Sequence, residues 1–244
     1  MAKAPTPTAT ATIGVAAGGF LLMDANATED EATTRIYRQR KKKLYPNVTA
    51  STFNRVQSQI VGADMTKANV AAGMSAFTTG YVTGCGHGKW DHLQGWYDGK
   101  NWLTVLVAFG ANKFAPAEAQ GKIIHLFACN CGFLGTADRP GLGQALVAGG
   151  AVAFFGYNEP FIINVAESPL FCSCDIEIDL SMIRGQDCAT AYANAIAAYD
   201  AGIARLQADG NMNAAAQLEK NRDSLVSPTV NAAFGDSTAR LQIA

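Results

Sequence analysis

Two stretches, Tyr81-Val82-Thr83-Gly84-Cys85-Gly86-His87-Gly88 and Ile123-Ile124-His125-Leu126-Phe127-Ala128-Cys129-Asn130-Cys131-Gly132, decide how the chain reads. Each starts as a short apolar run and ends in a reactive side chain set beside glycine. The second run is apolar without alternation, the pattern of a strand covered on both faces. In the first, the glycines allow backbone geometry that a Cβ atom would resist. Working outward, residues 13–23, 102–109 and 151–155 carry further strand signals. Helical composition predicts helices over 29–42, 49–62, 64–77 and 143–148. Asp24, Asn26 and Thr28 are the expected caps of the first helix, and Pro46 its terminator. Trp90, Asp91, His92, Trp96 and Tyr97 read as an aromatic and polar loop.

Near the C-terminus, Ile196, Tyr199, Ile203 and Leu206 form a helical stripe, Asp209-Gly210-Asn211 a turn, and Leu218 and Leu225 a second helix. This predicts a helical hairpin over about 186–226, serving as packing. Strands separated by helical stretches point to an α/β fold with a mainly parallel sheet. A single domain over 13–244 follows, preceded by a flexible lead-in over 1–12 that is rich in Pro, Thr and Ala.

Composition narrows the functional classes. The 244 residues are 49% apolar and 16% charged, which fits a folded chain with a large core. A formal net charge of -1 gives no electrostatic basis for a nucleic-acid partner. The one basic cluster, Arg35, Arg38, Arg40, Lys41, Lys42 and Lys43, reads first as a solvated helix end, then as a binding patch or a protease-sensitive loop. No apolar run reaches the roughly 18 residues of a transmembrane helix. Residues 13–23 followed by Ala25-Asn26-Ala27 imitate an export signal, yet Lys3 is the only basic residue ahead of them. The stretch reads better as the first buried strand, which makes the chain cytoplasmic, with export as the alternative. Six cysteines, four of them in Cys-x-Cys pairs, do not form a disulfide framework and read as free thiols.

In a parallel sheet, reactive groups gather beyond the carboxyl ends of the strands. His87 and Cys129 both lie at such ends. If the two strands are neighbours, an imidazole can take the thiol proton and later protonate a leaving amine. Gly86 and Gly88 would let a substrate carbonyl approach, with backbone N–H groups near Gly88 or Cys129 binding the oxyanion. The bland alternative is a structural histidine and a core cysteine.

Taken with Gly141-Leu142-Gly143-Gln144-Ala145-Leu146, Gly149-Gly150-Ala151-Val152-Ala153 and Phe234-Gly235-Asp236-Ser237-Thr238-Ala239-Arg240-Leu241, the two stretches resemble the caspase-like superfamily of cysteine peptidases, nearest to its gingipain-type and CHAT-type branches. The resemblance covers residues 80–160 clearly and 185–244 more loosely. It implies a caspase-like three-layer α/β/α sandwich and a cysteine endopeptidase working through an acyl-enzyme. His87 would be the general base and acid, Cys129 the nucleophile, and a polypeptide the substrate. No cofactor is needed. Control by an activating partner or by self-cleavage is also implied, with residues 35–43 as a place for it.

Two departures from the family pattern matter. Cys131 stands where Thr or Ser is usual, which makes it a candidate secondary thiol. Phe127 stands where relatives that cleave after Lys or Arg carry Asp, which leaves Asp138, Glu159 and Glu167 as candidate pocket residues. Two other functions compete. One is a non-catalytic caspase-like scaffold, although both members of the dyad are present. The other is a zinc site from Cys85, His87, Cys129 and Cys131, with Cys172 and Cys174 as further ligands, although one-residue spacing suits a tetrahedral site poorly. Neither a dinucleotide fingerprint at Gly14-Val15-Ala16-Ala17-Gly18-Gly19 nor a G-x-S-x-G elbow is present.

Overall fold

The structure, a computed structural model, describes residues 14–15, 19–50, 57–76 and 79–241. The lead-in expected over 1–12 lies outside these residues. In chain order the strands and helices are β1 (Gly14–Val15), β2 (Gly19–Asp24), α1 (Glu31–Lys43), α2 (Tyr45–Ala50), β3 (Gln57–Val61), α3 (Lys67–Ser75), β4 (Thr79–Cys85), β5 (His87–Lys89), β6 (His92–Tyr97), β7 (Trp102–Val107), α4 (Pro116–Ala119), β8 (Ile123–Phe127), α5 (Leu142–Ala148), β9 (Ala153–Tyr157), α6 (Ser168–Ile183), α7 (Cys188–Ala208), α8 (Met212–Ser224), β10 (Leu225–Val226) and β11 (Arg240–Leu241).

The central sheet has six strands in the order β10-β9-β8-β4-β2-β3. All its pairings are parallel except that of β10 with β9. Strand alternation divides the apolar residues between two cores. Phe20, Leu22, Tyr81, Ile123, Phe127 and Phe155 face α1, α2, α6 and α7. Leu21, Met23, Val82, Ile124, Leu126 and Phe154 face α3, α5 and the antiparallel β5-β6-β7 sheet. The architecture is therefore a three-layer α/β/α sandwich with a mainly parallel sheet. Among the described residues no helix is long and apolar enough to cross a membrane.

Several local expectations are corrected. Residues 57–61, expected to be helical, form β3, an edge strand paired only with β2. The aromatic loop is the β5-β6-β7 ribbon, where alternation buries Leu93 between half-buried neighbours. Asp30, not Asp24, Asn26 or Thr28, caps α1, accepting from the Ala32 and Thr33 amides at 3.1 and 3.3 Å. Pro46 lies inside α2 rather than ending α1. The basic run is no loop: it forms the last turns of α1, and Arg40 is wholly buried rather than solvated.

Arg40 belongs to a polar belt between the sheet and the helices of the first core. Its Nε donates to Asp24 at 2.6 Å, Nη1 to Asp179 at 3.1 Å and Nη2 to Thr83 at 3.0 Å. Tyr45 donates to the other Asp24 oxygen. On β8, His125 is gripped from both sides, Nδ1 by Asp179 at 2.9 Å and Nε2 by Asp175 at 3.2 Å. Burial alone would discharge this imidazole, but the two carboxylates more than offset it and hold its pKa up at about 9. Burial works against the Asp179 charge as well, yet His125, Arg40 and Tyr81 bring its pKa down to about 2.

Candidate active site

Strands β4 and β8 pair in register to Cys85 and Phe127. Just past those ends, Gly86, His87, Ala128 and Cys129 line a common cavity. Gly88 fixes how close the two segments come: a Cβ there would lie 2.0 Å from the Cys129 carbonyl oxygen. The glycine seen in the sequence thus serves a backbone-on-backbone contact at Cys129.

His87 opens β5, and its Nε2 lies 2.8 Å from Asp30 Oδ2. Its ring meets Trp102 edge-on, with centroids 4.3 Å apart. Burial opposes the charge of Asp30, but hydrogen bonds from Thr33, His87 and the Ala32 amide hold its pKa below the usual carboxylate value. Asp30 therefore links the N-terminus of α1 to the imidazole and limits how the ring can turn.

Cys129 is half-buried, and its Sγ accepts the Phe161 N–H at 3.2 Å. Burial pushes its thiol pKa up, partly countered by the Phe161 and Cys129 amides. The next residue, Asn130, has φ 57, a left-handed turn that takes the chain sharply off β8. Its amide donates to Glu159 O at 3.2 Å, and that of Gly132 to Tyr157 O at 2.8 Å, tying the turn to the end of β9 and the residues just after it.

His87 and Cys129 line one cavity of about 170 Å³, together with Gly86 and a wall of Ile36, Phe127, Phe161 and Ile163. The side-chain hydrogen bonds of the pair go to Asp30 and Phe161, not to each other. The structure thus brings the two expected residues to one cleft, with each held by a third group.

The other expected residues lie elsewhere. Cys131 is fully buried in the core on the opposite side of the sheet, 4.0 Å from His92 O, and burial raises its thiol pKa strongly. It is thus inaccessible as a secondary thiol. None of Asp138, Glu159 and Glu167 lines the cavity. Asp138 is exposed, Glu159 pairs with Lys220 at 3.4 Å, and Glu167 faces Arg205 at 3.9 Å.

The four-ligand zinc set does not converge, because Cys85 points into the first core and Cys131 into the second. The ligand-type cluster found among the described residues is instead His125, Asp175 and Asp179, whose atoms lie within 4.8 Å of one another. Each ring nitrogen of His125 meets a carboxylate there, Nδ1 that of Asp179 and Nε2 that of Asp175.

Sequence reasoning missed Asp30 and Phe161. Asp30 lies six residues past the end of β2, in the run Glu29-Asp30-Glu31, where nothing in the sequence sets it apart from its acidic neighbours. Phe161 carries no sequence signal, since it acts through its backbone amide. Comparison of the sequence with models of protein families and with curated proteins gives no match.

Proposed function

We propose that the protein is a caspase-like cysteine endopeptidase with Cys129 as nucleophile, His87 as general base and acid, and Asp30 as the residue that positions His87. The observation that carries this reading is the shared cavity: a thiol and an imidazole from adjacent strand ends open onto one pocket, and the imidazole has a carboxylate on its Nε2.

A proton on Nε2 donated to Asp30 leaves Nδ1 as the acceptor nitrogen. In the proposed step, Nδ1 takes the Cys129 thiol proton as sulfur bonds to the scissile carbonyl carbon. The carbonyl electrons move to oxygen, and the N–H of Gly88, whose backbone lies against Cys129, stabilises the oxyanion. Collapse expels the amine, which receives the proton from His87 and leaves a thioester on Cys129. Water, deprotonated by the same nitrogen, then releases the carboxylic acid and restores the thiol. All of these groups belong to the chain, and none of the steps needs a cofactor.

The test is active-site labelling of the intact chain with a peptidyl electrophile, followed by mass mapping. The adduct is expected on Cys129. It should vanish in Cys129→Ala, fall by about 10²-fold or more in His87→Ala, and persist in Cys131→Ala. Labelling unchanged by Cys129→Ala, or equal rates with and without His87, rejects the assignment and favours a non-catalytic scaffold.

A further inference from the structure

We infer that the substrate residue contributing the scissile carbonyl is apolar, of leucine to phenylalanine size. This rests on the peptidase reading above, because it assigns the cavity beside the Cys129 sulfur to the side chain of that residue.

Besides His87 and Cys129, the lining offers no ionisable side chain to a polar substrate residue. The rest of the lining is Gly86, Ala128, Ala32, Thr33 and Ile36 of α1, Phe127 of β8, and Phe161 and Ile163. The Thr33 hydroxyl is already donated to Asp30 O at 3.3 Å. The Asp30 carboxylate is taken by His87 and by the first amides of α1. A lysine or arginine entering here would lose water without meeting a free anion. An aspartate fares no better. Arg40 is locked between Asp24 and Asp179, and Lys43 is turned to Pro169 O and Ser173.

Size agrees with chemistry. At about 170 Å³ the cavity is close to the ~150 Å³ apolar site known to hold benzene. Its outer wall is already built. The Phe161 ring packs on Phe127 and Tyr157 with centroids 4.5 and 4.8 Å away. Behind it, the buried Asn221 of α8 clamps the Ile162 backbone, accepting from N at 2.8 Å and donating to O at 2.6 Å. A preformed apolar pocket selects by fit and by exclusion of charge.

A series of peptidyl acyloxymethyl ketones, identical except for Ala, Leu, Phe, Lys or Asp next to the electrophile, tests the inference on the intact chain. Leu and Phe are expected to inactivate Cys129 about tenfold or more faster than Ala. Lys and Asp should be slower than Leu by about 10²-fold. Ile163→Glu, at a partly buried wall position, should remove the Leu advantage over Lys. A Lys or Asp probe matching Leu on the unmodified chain overturns the apolar assignment while leaving the peptidase reading intact. So does a folded Ile163→Glu chain with an unchanged order. If no probe in the series modifies Cys129, the peptidase reading itself fails. Should Ile163→Glu not fold, the five-probe series on the unmodified chain decides alone.

Discussion

Replacing Arg40 by Met keeps most of the side-chain volume and removes the cation from a site with no exposed side-chain surface. The belt holds three carboxylates, Asp24, Asp175 and Asp179, against two cations, Arg40 and His125. Without Arg40 the three carboxylates face one imidazolium, and Asp24, Asp179 and Thr83 each lose a donor. Taking one member from a buried ion pair costs about 3–5 kcal/mol, a large share of the roughly 5–15 kcal/mol that holds a domain folded. Lys42→Met, on the exposed face of the same helix, should stay within about 0.5 kcal/mol of the parent. Urea unfolding at pH 7 reads both. The difference between Arg40→Met and the parent should also narrow as pH falls through the carboxylate range. Asp179 draws its low pKa partly from Arg40, so its stabilising contribution, present above the unfolded carboxylate pKa, is lost to acid in both chains. An Arg40→Met cost below about 1 kcal/mol, or equal to that of Lys42→Met, refutes the role assigned to the belt.

Other outcomes follow from the same geometry. His125 has a folded pKa of about 9 against ~6.5 unfolded, so its contribution is complete below that lower value and lost as pH rises through about 9. Unfolding free energy should fall by on the order of 3 kcal/mol between pH 6 and 10, and a flat profile would count against the imidazolium. Gly88→Ala puts a Cβ 2.0 Å from Cys129 O and 2.8 Å from Cys129 N. Because both contacts are backbone, it should cost about 1–3 kcal/mol and slow Cys129 labelling, and a fully active, equally stable variant would contradict the close approach.

How much of this was legible in the sequence depends on which signal each residue carries. β8 announces itself because both its faces are covered and its run is nearly unbroken, β4 by the short Tyr81-Val82-Thr83 run into glycines, and His87 and Cys129 then follow from position alone. β3 was misread because an edge strand, paired on one side and carrying Gln57, Ser58 and Gln59, has no such run. α6 showed no amphipathic stripe because it is buried on several sides, with Asp175 and Asp179 inside and Phe171 and Ile178 beside them. Arg40 is indistinguishable by composition from its exposed basic neighbours; its burial follows from Asp179, which lies far along the chain. Asp30 was hidden in an acidic run whose cap role and histidine contact appear only once α1 is placed against β5.

The double grip on His125 has a mechanical consequence for the thiol. His125 lies in the middle of β8, and Cys129 follows two residues past the end of that strand. A slip of β8 by one residue would turn the imidazole into the dry side of the sheet and break both carboxylate bonds. The position of the Cys129 sulfur thus depends on a grip it never touches, and loosening α6 would let the end of β8 shift without changing any residue that lines the cavity.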